Sequence, residues 1–200
     1  MDTNQPLNIA LIIGSTRPGR FSEKAAAWMQ EQAKKRTDLK ITVLDLRDFP
    51  LPLFNEPVSP SMKNEPYTDP LVSKWEQAII ASDGFIIVTP EYNHSFPAVL
   101  KNAIDYLNPQ WHKKAVGFVS YGGVGGARSI EQLRLVAVEL QMVNIQKSIN
   151  IFFSMYMDAI SEDENKRAHA FNSLVEGATV FFDQLTWWAK LLKQARTKSS

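Results

Sequence analysis

The segment Gly14-Ser15-Thr16-Arg17-Pro18-Gly19-Arg20-Phe21-Ser22 concentrates hydroxyls, glycines and two arginines in nine consecutive positions. It follows the apolar run Leu7 to Ile13, which reads as a buried strand, and precedes a helical pattern with Ala25, Trp28, Met29 and Ala33 on one face. A strand, a polar turn and a helix start together make an anion site. The first amides of a helix have no partner within it, and its dipole presents positive charge there. Ser15, Thr16 and Ser22 offer hydroxyl donors, and Arg17 and Arg20 offer charge. The spacing therefore predicts a phosphate cradle. A plain helix cap is the alternative, but capping does not call for two arginines.

Two nucleotide signatures fail at this loop. Gly14 and Gly19 have the glycine spacing of a P-loop, yet Arg20 and Phe21 stand where Lys and Ser or Thr are needed. The strand at Phe85 to Val88 runs into Thr89-Pro90, without an aspartate for Mg²⁺. Gly14-Ser15-Thr16 is not the G-x-G of a dinucleotide fingerprint, so Asp45, suitably placed for a ribose, carries little weight.

Two further loops have compositions suited to a flat heteroaromatic ligand. One is Thr89-Pro90-Glu91-Tyr92-Asn93-His94-Ser95; the other is Ser120-Tyr121-Gly122-Gly123-Val124-Gly125-Gly126. A proline and several glycines permit close backbone approach to a ring, Tyr92 and Tyr121 can line its edge, and the amides of Glu91 to Asn93 can donate to it. Taken singly, Pro90 only turns the chain and the glycines only join strand to helix. Their joint placement is what argues for a site.

The elements that must position these loops alternate between strand and helix. Strands are expected at residues 7–13, 41–46, 84–89, 115–120 and 145–151, and helices follow over the stripe from Ala25 to Ala33, at 71–82, 96–107, after Gly126 and over 161–194. Ser161 and Glu164 have capping-box spacing at the start of the last helix. The connection from residue 47 to residue 70 holds six of the eleven prolines and reads as an ordered surface loop. This alternation predicts an α/β fold, a doubly wound five-stranded parallel sheet in the flavodoxin-like order 2-1-3-4-5. It makes residues 1–200 one domain, with a core over 7–151 and a long C-terminal helix. Ligands of such sheets bind beyond the carboxyl ends of the strands, where all three loops would converge.

Several separated motifs, in one order, resemble the NADPH-dependent FMN reductase family, whose relatives include chromate, quinone and azo-dye reductases. They are Gly14 to Arg20, Asp45-Leu46 with Pro50-Leu51-Pro52-Leu53-Phe54, Thr89 to Pro97, Lys101-Asn102-Ala103-Ile104-Asp105, and Ser120 to Gly123. The resemblance spans roughly residues 7–150 and departs from many members at Phe21-Ser22. It implies an FMN phosphate held by Ser15, Thr16, Arg17, Arg20, Phe21 and Ser22. It implies flavin-ring contacts from Pro90, Glu91, Tyr92, Asn93 and His94 and from Ser120, Tyr121, Gly122 and Gly123. It further implies a ping-pong cycle in which NADPH gives hydride to flavin N5 and a small acceptor (flavin, quinone, chromate or azo compound) then collects the electrons. On this reading the flavin carries the chemistry and no side chain need be catalytic. Family members commonly form dimers or tetramers, with the helix after the third strand at the interface. A flavodoxin-type electron carrier without NADPH turnover is the alternative; such carriers are usually strongly acidic.

Composition narrows the remaining choices. A formal charge of +1 gives no electrostatic case for nucleic acid or an acidic membrane. The absence of cysteine excludes disulfides, thiolate metal sites and cysteine nucleophiles. His94, His112 and His169 lack paired metal-ligand spacing, so no metal is expected, and His94 reads as a loop-packing or hydrogen-bonding residue. No secretory signal or membrane-length apolar run is visible, which makes the cytoplasm the expected compartment. The aromatic residues Phe181, Phe182, Trp187 and Trp188 recur at helical spacing and are expected to pack on the sheet.

Overall fold

The structure is a computed structural model that describes residues 5–63 and 65–198. Strands β1 (Leu7–Ile13), β2 (Leu39–Asp45), β3 (Gly84–Pro90) and β4 (Ala115–Tyr121) run parallel, and two short strands, β5 (Val143–Asn144) and β6 (Ile149–Ile151), both pair with β4. The order is β2-β1-β3-β4-β5, as expected. Helices α1 (Ser22–Ala33) and α7 (Val175–Lys198) cover one face; α2 (Pro70–Ile80), α3 (Ala98–Asp105) and α4 (Ala127–Glu139) cover the other.

Side-chain alternation divides the core in two. Ile9, Leu11, Ile86, Val88 and Val119 point to the α1/α7 face, and Ala10, Ile12, Phe85, Ile87 and Phe118 to the other. Burial on both faces is why these strands read as unbroken apolar runs. Gly117 in β4 leaves room for the Phe181 ring of α7: a Cβ there would lie 2.7 Å from Phe181 Cε2 and 2.8 Å from Ile145 Cδ1.

The single strand expected at 145–151 is interrupted. Arg134 donates to the carbonyls of Ile145 and Gln146 at 2.8 and 3.0 Å, and Gln184 accepts from the Lys147 amide at 2.8 Å. Side chains from α4 and α7 thus take backbone groups that the sheet would otherwise use. The single helix expected at 161–194 is also broken. Helix α5 (Phe153–Ile160), unforeseen, is followed by α6 (Glu164–His169), a 3-10 turn and α7. The cap of α6 is Asp163, which accepts from the N–H groups of Asn165 and Lys166, while the Ser161 hydroxyl accepts from the Asp163 N–H and does not reach the helix. The break at residues 170–174 seats Phe171 against Trp28 and Phe21, with centroids 5.4 and 6.2 Å apart. Phe181 and Phe182 are fully buried, but Trp187 is 61% exposed because it falls outside the 181-185-189 stripe.

The proline-rich connection is tied down by α3. Asn102 accepts from Phe54 N–H at 2.8 Å and donates to the Pro52 carbonyl at 2.7 Å, and the Tyr106 hydroxyl donates to the same carbonyl at 3.1 Å. Pro97 caps α3 from outside rather than occupying its first turn.

At the opposite end of the sheet from the loops, Lys114 is only 5% exposed. Its Nζ donates to the carbonyls of Ile79 and Ile80 at 2.7 and 3.3 Å, closing the C-terminus of α2 with a cation. Burial, with help from Arg196 and against the pull of Asp83, pushes its pKa down from 10.5 to about 8. The folded value is the lower one, so between these limits the unfolded chain binds more protons and stability rises with pH. Below about pH 8 the folded state carries the full cost of the buried charge. Measured by urea unfolding, Lys114→Met should flatten that alkaline rise relative to the unmodified protein; parallel pH profiles would show that Lys114 does not titrate there.

Candidate functional site

Three loops leave the carboxyl ends of β1, β3 and β4 at one level. The Gly14 N–H donates to the Val88 carbonyl at 2.8 Å, and the Glu91 N–H to the Tyr121 carbonyl at 3.0 Å. Side chains complete the join. Ser15 Oγ lies 3.2 Å from the Tyr92 hydroxyl, and Ser22 Oγ lies 2.7 Å from the Tyr121 hydroxyl. The structure therefore brings residues 14–22, 89–95 and 120–126 together at one end of the sheet.

Loop one ends in a helix without a side-chain cap. The N-cap position of α1 is Phe21, and no hydroxyl closes the first turn. The capping alternative for Ser15, Thr16 and Ser22 is thereby excluded. Among the described residues, the N–H groups of Thr16, Gly19, Phe21 and Ser22 have no acceptor. Among the described residues, the Arg17 side chain has neither a hydrogen bond nor an ion pair.

Arg20 differs from the expectation of a free phosphate cation. Its side chain is 1% exposed, paired with both Asp45 oxygens and with Glu23, and it also donates to the Ser15 carbonyl. The Asp45 carboxyl is shifted below its ordinary range: burial pushes it up, but the Arg20 hydrogen bonds, the Arg47 N–H and both guanidinium charges outweigh that. Phe21 is buried too, with its ring 5.1 Å from Tyr121 and 4.7 Å from Tyr156. It is a wedge of core between loops one and four.

In loop three, Asn93 and His94 are exposed and both have positive φ (50° and 69°). They form a two-residue hairpin closed by paired bonds between Tyr92 and Ser95, at 2.8 and 3.0 Å. The amides of Glu91 and Tyr92 are thus spent on Tyr121 and Ser95, and within 91–94 only those of Asn93 and His94 lack an acceptor among the described residues. Glu91 is held by Arg128, whose Nε donates at 2.6 Å and whose backbone N–H donates at 3.2 Å. That pairing commits Arg128 to the protein. Pro90 is buried, and its carbonyl accepts from Ser129 Oγ at 3.1 Å.

Loop four is shaped from within. Ser120 is fully buried and donates to the Gly125 carbonyl at 2.6 Å, and Asn150 donates to that carbonyl at 3.0 Å. Burial pushes the Tyr121 phenol up to about 12, so it stays protonated beside Ser22. Gly123 faces open space, and Gly122 sits where a Cβ would come within 3.2 Å of Glu91 Cβ. Sequence reasoning missed the roles of Glu23, Arg47, Asn150 and Tyr156. Only Arg47, two residues after the strand-ending Asp45, offered a signal. Among the described residues, no group of three His, Asp or Glu side chains could hold a metal.

A parallel sheet in the order 2-1-3-4-5, with three loops converging beyond the carboxyl ends of its strands, defines a flavodoxin-like fold. The chain belongs to the NADPH-dependent FMN reductase family, which it matches over residues 7–153. It is accordingly an NAD(P)H-dependent oxidoreductase that uses FMN. An NAD(P)H-dependent FMN reductase of Schizosaccharomyces pombe is 41% identical over 134 residues, 67% of each chain. A second of that description, from a Nectria species, is 34% identical over 94% of this chain and 98% of its own. A quinone reductase of Pseudomonas putida is 34% identical over 72% of this chain and 76% of its own. In three dimensions the fold is similar to FerB, a flavoenzyme NAD(P)H:acceptor oxidoreductase of Paracoccus denitrificans, with a TM-score of 0.66 over 90% of this chain and 98% of that one at 22% identity.

Gly126, the residue before α4, has φ 71°, and a Cβ on it would stand 2.6 Å from Ser120 Cβ and 2.9 Å from the Tyr121 N. Left-handed strain and overpacking act together here, so Gly126→Ala should destabilise the fold by about 2–4 kcal/mol. Urea unfolding of the two proteins measures this; a loss under half a kcal/mol would mean that the loop relaxes freely.

Proposed function

We propose that loop one holds the FMN phosphate, that loops three and four flank the flavin ring, and that NADPH and a small acceptor use the same open face in turn. The observation that carries this reading is the pairing of a free guanidinium, Arg17, with an uncapped helix start at the mouth of the three-loop crevice. A phosphate dianion fits such donors. Charge-assisted hydrogen bonds net about 1.5–3 kcal/mol each, and micromolar affinity needs about 8 kcal/mol. Arg17 with three or four loop amides supplies most of that, and ring contacts supply the remainder.

When bound, FMN supplies the hydride and electron transfer between NADPH and the acceptor. The chain's own residues bind and orient. Ser15 and Ser22, expected from the sequence as phosphate donors, are instead buried (1% and 0% exposed) with their hydroxyls on those of Tyr92 and Tyr121, so they shape loop one from within and leave phosphate binding to Arg17 and the loop amides. The exposed Asn93 and His94 amides are fixed by their hairpin toward the ring end. Fixed donors of this kind stabilise charge that grows during reduction. Ring-contact roles for Pro90, Glu91 and Ser120 run through backbone shape, since their polar side chains and carbonyls are internally engaged.

A small-molecule acceptor, a quinone or a free flavin, suits a site open over Gly123. The names of the quinone-reductase relatives support that choice. A one-electron carrier role is disfavoured by the +1 charge and by the reductase relatives. No helix among the described residues is long and apolar enough to cross a membrane; a cytoplasmic enzyme is proposed. Self-association through α3 and α4 is supported by a groove of about 500 Å³ lined by Phe54, Ile104, Leu107, Leu135, Val136 and Leu140.

Arg17→Ala should fold normally and purify largely free of yellow flavin, with FMN affinity reduced by roughly tenfold or more in a fluorescence titration. Full occupancy and unchanged affinity would refute the assignment. For the unaltered protein, visible bands near those of free flavin should bleach with NADPH under nitrogen and return with a quinone. Light scattering should give a dimer or tetramer, and a monomer alone would remove the self-association reading.

A further inference from the structure

Loop one is held from behind by a closed set of four charged side chains. Arg20 donates to Asp45 at 2.7 Å and to Glu23 at 3.1 Å, and Arg47 donates to the same Glu23 oxygen at 2.8 Å. Asp45 also accepts from the Arg47 N–H at 2.9 Å. Two cations and two anions cancel, which leaves Arg17 as the uncompensated charge of this loop.

The same two arginines take up the loop's carbonyl oxygens. Arg20 donates to the Ser15 carbonyl. Arg47 donates to the Arg17 carbonyl through Nη2 at 2.7 Å and to the Thr16 carbonyl through Nε at 3.4 Å. A trans peptide plane carries its C=O and N–H on opposite sides. Holding the Ser15 and Thr16 carbonyls toward the arginines therefore turns the Thr16 and Arg17 N–H groups away from them; the Thr16 N–H has no acceptor among the described residues, and the Arg17 N–H makes only a long 3.4 Å bond to Ser15 Oγ. The network also removes three carbonyl oxygens that would repel an anion. A fork of several fixed donors is needed to hold two successive carbonyls and a carboxylate together, and arginine supplies one where lysine does not.

We propose that Arg47 is a positioning residue for the phosphate end of the cofactor, acting through the peptide groups of Thr16 and Arg17 without touching the phosphate. This rests on the reading of loop one as the phosphate site. It extends that reading by giving the second-strand exit, residues 45–47, a defined part in cofactor selection. The clamp acts only on the phosphate end, so its loss should separate FMN from riboflavin, which has the same ring and no phosphate.

The test is a titration of flavin-free full-length protein with FMN and with riboflavin, comparing Arg47→Met, Arg47→Lys and Arg17→Ala with the unaltered chain. Arg47→Met should bind FMN roughly tenfold more weakly and riboflavin equally well. Arg47→Lys, which keeps the charge and offers a single donor head, should recover part of the loss and serves if the methionine variant does not fold. FMN binding by Arg47→Met should keep its salt dependence, because Arg17 still supplies the charge, whereas Arg17→Ala should lose much of it. Unchanged FMN affinity in both Arg47 variants, beside a weakened Arg17→Ala, would overturn the positioning role while sparing the site. An equal loss of FMN and riboflavin in the Arg47 variants would overturn it as well, by reducing Arg47 to general stability. If Arg17→Ala also bound FMN normally, the phosphate reading itself would fall.

Discussion

The register between β1, β3 and β4 is the constraint on which the site depends. Pro90 stands opposite Tyr121 across the β3–β4 pair, and Ile13 opposite Val88 across β1–β3. Parallel strands in this register end together, so the chain leaves the sheet three times at the same height. The bonds from Gly14 to Val88 and from Glu91 to Tyr121 extend the pairing one residue beyond the strands. A slip of one residue would exchange side chains between the two faces, for example Phe85 and Ile86, and mismatch the packing of both cores.

Charge is divided within loop one by burial. Arg20 and Arg17 are three residues apart and chemically identical, yet one is enclosed and fully paired and the other is exposed, with no side-chain partner among the described residues. An enclosed guanidinium needs partners, because an unpaired buried charge costs several kcal/mol. Asp45 and Glu23 meet that need for Arg20, and Arg47 then meets the need of Glu23 and of the loop carbonyls. Arg17, exposed to solvent, has no such obligation.

An aromatic cluster connects this loop to the C-terminal part of the chain. Phe21 touches Tyr121, Tyr156 and Phe171, and Phe171 touches Trp28. Loop one, loop four, α5 and the break before α7 therefore share one packed contact. This accounts for the departure at Phe21: a bulky ring there has partners from α5 and from residue 171, beyond the 7–153 region of family similarity in most of its contacts. Tyr121 serves both sides, packing its ring on Phe21 and directing its hydroxyl to Ser22.

Much of the architecture was legible because it rests on local patterns. Apolar runs marked β1, β3 and β4, periodic stripes marked α1 to α4, and the three odd loops followed the strands where a doubly wound sheet places its ligands. Errors arose where tertiary partners overruled those patterns. Arg134 and Gln184 interrupted the last strand, Phe171 broke the C-terminal helix, and Trp187 stayed outside although its spacing resembled that of Phe181. By itself, then, the residue order determined the strand order and the identity of the loops, since hydrophobic periodicity and glycine–proline punctuation are properties of short segments. Only the folded chain decided which arginine is free, which amides are spent and which carbonyls are hidden. Those depend on side chains far apart in sequence competing for the same few hydrogen-bonding groups.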